Sequence, residues 1–275
     1  MLFTVSMLLS GCARVVVQPL LNPLTRSLER QTDLELLRDG GPSLLLMLDG
    51  LIENDPGGTQ ILIAGTRAYA SYAAVMFADG QVERAVRYSE KSKEYGQALL
   101  NLYSHYRENA RAPLADFTRA LSDFGKGDVA PLFWGGYGWA IWARYQSGAP
   151  AAMVELPRIE QIMLRVVELD ESFYYGAAHV VLGSYYGSRP EMLGGDLEKS
   201  RQHFERSLKI AGRRFLLTQV AYAETYARMT FDRELFERLL TEVINHSSVK
   251  NELSASNRLA QTEAEKLLAR TDDFF

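Results

Sequence analysis

Cysteine is nearly absent from this sequence. Among 275 residues there is one, Cys12. A single thiol permits neither a disulfide framework nor a cysteine-based zinc site, so stability must come from packing. Histidine is also scarce. His105, His179, His203 and His246 include no i,i+4 pair, which argues against a His-rich metal site. Basic charge is not in excess, since the net charge is −4, and no footprint for nucleic acid results. Long apolar runs are missing too. Leu2 to Leu9 falls far short of the ~20 residues a membrane span needs, and no later stretch reaches that length without charges. After Val15-Val16-Val17 and Pro19 there is no convincing period-2 alternation, so strands are not expected. A catalytic signature is absent as well. Ser184 near His179, and His203 near Asp196, make no nucleophile-base-orienter set, and Gly183-Ser184-Tyr185 lacks the second glycine of a nucleophile elbow. The chain reads as a non-enzyme with no cofactor.

What is present begins with Cys12 itself. The run Leu9-Ser10-Gly11-Cys12 resembles the bacterial lipobox, in which a small-residue cleavage site precedes the cysteine that becomes lipidated. Residues 1–11 are then a signal peptide that is removed, and residues 12–21 form a short tether. Residues 1–11 carry no Lys or Arg, so a start codon further upstream is expected. Acyl chains on Cys12 would hold the protein on a membrane without spanning it, stably if there are two or more. Ala13, not Asp, follows the cysteine, which by the lipoprotein sorting rule favours the outer membrane.

Residues 22–275 read as one helical-repeat domain. Helical periodicity predicts a first pair over 22–38 and 42–53, broken at Gly40-Gly41-Pro42. Further helices are expected over Thr59 to Phe77 and Val82 to His105, with residues 113–130 irregular. Small residues recur at a fixed offset. Ala73 and Ala85 are 12 apart, as are Ala140 and Ala152, while Glu224 and Phe236 keep the spacing without the chemistry. This is the tetratricopeptide pattern, in which short side chains let two helices approach. A further anchor, Gly183, is followed late by Ser200, Phe204 and Ser207. The delay lies in the stretch Ser188 to Asp196. The expected fold is therefore all-α: a degenerate tetratricopeptide-like array, or α-solenoid. The amphipathic segment Asn257 to Phe275 serves as its capping helix.

Several blocks carry a more specific likeness: GYGWAIWARYQSG (136–148), LPRIEQIMLRVVELD (156–170), GAAHVVLGSYYGSRPEMLGGD (176–196), EKSRQHFERSLKIAG (198–212) and NRLAQTEAEKLLARTDDFF (257–275). In this order, with the lipobox, they resemble the TRAP transporter T-component family (TatT), periplasmic tetratricopeptide lipoproteins. The resemblance implies an all-helical non-enzyme that partners the solute-binding (P) subunit of a TRAP transporter. It also implies assembly, often as a homotrimer, and a pore through each subunit for an apolar ligand. The sequence departs from the pattern at Ser92, Ser200 and Ser207, where Ala is usual.

Repeat geometry implies that Arg67, Ala70, Ala74 and Phe77 face a concave groove. So do Trp134, Tyr137, Ile141 and Arg144; Ala177, Val180, Ser184 and Gly187; and Thr218, Ala221, Thr225 and Arg228. Arg67, Phe77, Trp134, Tyr137, Ile141, Arg144, Val180 and Arg228 are thus the ligand candidates. An apolar groove rimmed by Arg67, Arg144 and Arg228 could hold an organic acid by its carboxylate. Trp139 and Trp142 are read as core. Leu193-Gly194-Gly195-Asp196 lacks the Gly-Lys-Ser/Thr ending of a phosphate loop. Its glycines suit a turn and Asp196 suits a helix cap. Its functional reading is a loop at a pore mouth or partner surface. The expected function is a periplasm-facing TRAP accessory lipoprotein. The rival reading is a general envelope scaffold that works through protein-protein contacts.

Overall fold

A computed structural model describes residues 23–275 except 147, 248 and 249. Cys12, the segment 1–11 and the tether 12–21 lie outside the described residues. Within them the chain is helical and contains no strand. The helices are α1 (residues 23–29), α2 (Leu34–Asn54), α3 (Thr59–Ala78), α4 (Val82–Leu100), α5 (Ser104–Asn109), α6 (Leu114–Leu121) and α7 (Val129–Tyr145). There follow α8 (Pro150–Asp170), α9 (Phe173–Gly187), α10 (Leu197–Ala211), α11 (Leu217–Tyr222), α12 (Arg233–Ile244) and α13 (Ser254–Leu268). A π-helical turn, Ala223–Ala227, continues α11.

The expected break at Gly40-Gly41-Pro42 does not occur, because α2 runs straight through it. Proline removes the N–H that would reach the carbonyl four residues back, here Arg38. That carbonyl is not left orphaned: the Tyr72 hydroxyl of α3 donates to it at 2.7 Å. Gly41 admits the same ring, since a Cβ there would lie 2.3 Å from Tyr72 Cε2. A tertiary contact thus repairs a local helix breaker.

Two other boundaries differ from expectation. The helix beginning at Val82 ends at Leu100, short of His105. The stretch 113–130 contains α6, whose Phe117, Ala120 and Leu121 are buried under α8. The terminal segment is helical from Ser254 to Leu268 and ends in a single turn at Thr271–Asp273.

Successive helices pack closely, α3 on α4, α4 on α7, α7 on α8 and α9 on α10. Small residues make this possible. Ala73 and Ala85 are fully buried. A Cβ on Gly138 would lie 2.5 Å from the Ser92 carbonyl oxygen, and one on Gly96 would lie 2.8 Å from that of Gly135. The three serines standing where alanine is usual are fully buried and each finds a partner across a helix contact. Ser92 donates to the Thr66 carbonyl at 2.9 Å, Ser200 to the Gly183 carbonyl at 2.8 Å, and Ser207 pairs with the Thr218 hydroxyl at 3.1 Å. Buried hydroxyls satisfied in this way cost little.

One large apolar core spans α2 to α9 and a second joins α10 to α13, with Val180 and Leu217 packed against both. Helix α3 is long and apolar enough to cross a membrane, but more than half of it is buried inside the protein, as befits a core helix. Trp139 and Trp142 are buried. The last helix, α13, packs on α11 and α12 and also reaches α2 and α3. There Lys266 donates to the Ala78 carbonyl. The two ends of the helical domain therefore meet, and a space partly open to solvent lies between them.

Candidate functional site

That space is a cavity of about 540 Å³, within the range of ligand pockets, ~300–1,000 Å³. Apolar side chains from α1, α2 and α3 line most of it, among them Leu28, Leu44, Leu48 and Ile63. The C-terminal helix contributes Ala255, Ser256 and Leu259. Trp134 and Tyr137 of α7 close one side, together with Tyr174 and Phe215.

The aromatic wall has a defined geometry. The Trp134 and Tyr137 rings meet edge to face with centroids 5.5 Å apart, and Tyr174 stands 4.7 Å from Trp134. Such pairs add about 0.5–1.5 kcal/mol beyond area burial. Burial pushes the Tyr137 phenol well above its ordinary range. It raises Tyr174 too, against the opposing pull of the Arg67 guanidinium. Tyr174 is held by an unusual backbone. Tyr174, Tyr175 and Gly176 have φ of 46°, 62° and 74°, one turn of left-handed helix. For a non-glycine residue this costs roughly 1–2 kcal/mol, and strain of this kind clusters at ligand clamps. Across the turn the two rings meet edge to face, 5.6 Å apart. Tyr174 lies against Trp134, while Tyr175 lies 5.8 Å from Phe215 and donates to Glu252 at 3.0 Å. Burial, then that bond, raises the Tyr175 phenol to about 12.

Arg67 is the one cation among the described residues that line the cavity. Its guanidinium carbon sits 4.7 Å over the Trp134 ring and 5.5 Å from that of Tyr174. It pairs with Glu29 of α1. A second hollow of about 460 Å³ shares Glu29, Tyr174 and Glu252 with the cavity, so these three stand between the two spaces.

Of the eight expected ligand residues, the structure brings Arg67, Trp134 and Tyr137 together in this cavity; Ala70 and Ala74 of the same groove face also line it. The other five do not line it. Phe77 packs at a tilt on Tyr145, centroids 5.0 Å apart, and Ile141 is buried in a cluster with Ala70, Ala73 and Tyr145. Arg144 pairs with Glu224 at 2.7 Å. That pair sits further along the α7 face that carries Trp134 and Tyr137, and Glu224 belongs to the π-helical turn. Val180 packs between the two cores, and Arg228 lies 3.9 Å over Phe274. The three arginines therefore do not converge. Glu29, Phe215 and the α13 residues escaped sequence reasoning because they come from distant parts of the chain, and Tyr174 was legible only as part of an aromatic cluster, not as a groove residue. The one available signal was the aromatic run Phe173-Tyr174-Tyr175 ahead of a glycine.

The loop 188–196 lines neither space. Gly194 has φ of 84°, and a Cβ on Gly195 would lie 1.9 Å from the Arg189 carbonyl oxygen. Asp196 accepts from the Lys199 N–H at 3.0 Å and caps α10. Met192 and Leu193 project into solvent.

Two histidines distant in sequence meet in space. His179 Nδ1 lies 2.8 Å from His203 Nδ1, and Tyr186 stacks on His203. Burial lowers both imidazoles, His203 to about 4. Their neighbour Glu171, hydrogen-bonded by Arg206, falls to about 2. Among the described residues no group of three or more His, Cys, Asp or Glu is placed to hold a metal ion.

The chain is similar to an uncharacterized protein of Treponema pallidum (strain Nichols). Identity is 25% over 278 residues, covering 91% of this chain and 83% of that one. The model of the TRAP transporter T-component family matches residues 30–275, a stretch that includes most of the cavity lining. With that match over nearly its whole length, the protein belongs to the TRAP transporter T-component family (TatT), a family of transport components rather than of enzymes.

Proposed function

We infer that this protein is a non-enzymatic accessory lipoprotein of a TRAP-type transport system. It docks the solute-binding subunit and takes an apolar or organic-acid ligand into the cavity beside Trp134 and Tyr137. Family membership supports the transport role. The observation that carries the ligand role is the cavity itself: mostly apolar walls, one cation and an aromatic side. Small-residue contacts between successive helices, such as Ala73 and Ala85, support a tetratricopeptide-like array. The lipobox supports acylation at Cys12 and a position facing the periplasm, on the outer membrane. A homotrimer is the oligomer that the resemblance implies.

Affinity capture of the full-length lipidated chain from its own membranes tests the docking role. Enrichment of a TRAP solute-binding subunit is the expected result. Capture without that subunit would overturn the reading in favour of a general scaffold. Mass spectrometry of the mature N-terminus should find acylated Cys12, and sedimentation should give the mass of three chains.

A further inference from the structure

Helix α1 presents to the cavity the chemistry of an amphiphilic acid. Leu24, Thr25, Leu28 and Glu29 line the space from one face of the helix, two leucines with a carboxylate at their end. That carboxylate rests on Arg67, whose guanidinium is already positioned by Trp134 and Tyr174. We propose that Arg67 anchors the carboxylate of a ligand with a single acid group and an apolar chain, and that Glu29 is a displaceable placeholder for that carboxylate. The proposal rests on the cavity being a ligand site and adds which ligand it takes and what competes for it.

Three observations set the ligand class. Among the described residues Arg67 is the only Lys or Arg in the lining, while the carboxylates of Glu29 and Glu252 also stand there. A second acid group on the ligand would meet carboxylates instead of a cation, so a monocarboxylate fits and a dicarboxylate does not. The rest of the lining is mainly Leu, Ile, Ala and aromatic, which suits an alkyl chain. A guanidinium fork also matches a carboxylate in two parallel hydrogen bonds, which an alcohol cannot reproduce.

Displacement has a physical basis. The Arg67 and Glu29 side chains are each only 24% exposed, so leaving Arg67 unpaired would be costly, but an incoming carboxylate keeps it paired while Glu29 retains some access to water. A ligand carboxylate that replaces Glu29 therefore exchanges like for like on Arg67. The apolar chain then adds burial that the exchange alone does not supply. Releasing Glu29 also frees α1 from its ionic contact, so occupancy of the cavity is coupled to the segment that follows the tether.

Calorimetric titration of the full chain with dodecanoate, dodecanol and succinate tests this, with far-ultraviolet circular dichroism confirming that each variant is folded. Dodecanoate should bind more tightly than dodecanol, and succinate least tightly. Glu29→Gln should tighten dodecanoate about 2- to 5-fold and leave dodecanol unchanged. Arg67→Gln should weaken dodecanoate about tenfold or more and abolish its advantage over dodecanol. Arg67→Lys, which keeps the charge and loses the fork, should fall between. If both amphiphiles bind alike and the variants change nothing, Arg67 and Glu29 are not the anchor and the placeholder, while the cavity reading stands. If succinate binds best, the apolar-chain assignment is wrong. If none of the three binds, the cavity is not a ligand site and this proposal goes with it.

Discussion

Replacing Gly138 with alanine probes a helix contact in which the added methyl would meet backbone. Gly138 lies on α7 where α3, α4 and α7 meet. An added methyl would stand 2.5 Å from the Ser92 carbonyl oxygen, 2.8 Å from Thr66 Cγ2 and 3.1 Å from the Ser92 carbonyl carbon. None of these is the free end of a flexible side chain. The Ser92 carbonyl belongs to the α4 backbone, and the Thr66 methyl is on a β-branched residue that cannot swing away. Reaching ordinary contact at 3.4 Å would push α4 and α7 apart by about 0.9 Å, in a region where Ser92 and Thr66 are fully buried. The shift would also strain the bond from Ser92 to the Thr66 carbonyl. Overpacking costs ~1–3 kcal/mol, more when backbone must move, while alanine in a helix regains ~1 kcal/mol over glycine. Because backbone must move here, the overpacking cost falls in the upper part of its range, about 2–3 kcal/mol, and the net expectation is a loss of about 1–2 kcal/mol. For a chain of this size that lowers Tm by roughly 2–8 °C. Gly50→Ala is the matched control. Gly50 is exposed on α2 and has nothing within 4 Å of an added Cβ. It should gain about 0.5–1 kcal/mol from propensity alone. Thermal melts followed by circular dichroism decide the matter. A Gly138→Ala protein that melts at or above the wild-type temperature would refute the close-packing argument.

The other expectations concern local repair, pH and a loop. Tyr72→Phe should cost about 1 kcal/mol, because it orphans the Arg38 carbonyl that Pro42 leaves unpaired. The cost should largely vanish in a Pro42→Ala background, where a backbone N–H is restored, and a urea double-mutant cycle reads the difference. Stability should fall as pH drops from about 6.5 toward 4. Burial lowers both His179 and His203, the latter to about 4, so in that window the unfolded chain binds protons that the native state refuses. Above pH 6.5 the pair contributes no pH dependence, and His203→Phe should flatten the slope without disturbing the lower window set by Glu171. Gly195→Ala should open the 188–196 loop to limited proteolysis, since its Cβ meets the Arg189 backbone at 1.9 Å. Gly194→Ala should cost only ~1–2 kcal/mol for its left-handed backbone.

The sequence by itself determined the class of fold. Helical periodicity, the absence of alternation and the 12-residue spacing of Ala73 and Ala85 are local properties, and packing follows them. It also placed the Asp196 cap and the buried serines, because capping and close approach depend on residue size and short-range bonding. The family blocks were legible for the same reason, as residues in fixed order along the chain. Tertiary structure alone decided the continuity of α2, since the hydroxyl that rescues the Arg38 carbonyl comes from another helix. It alone joined His179 to His203. It alone selected Arg67 from the three arginines expected on one groove, because α1, α2 and α13 close around Arg67 and leave Arg144 and Arg228 with other partners. Such closure depends on how successive helix-packing angles add up over many elements, and small changes in each angle move the last helix far. No periodicity within a single helix encodes that sum, so the cavity, and the Glu29 carboxylate resting on Arg67, became visible only once the chain was folded.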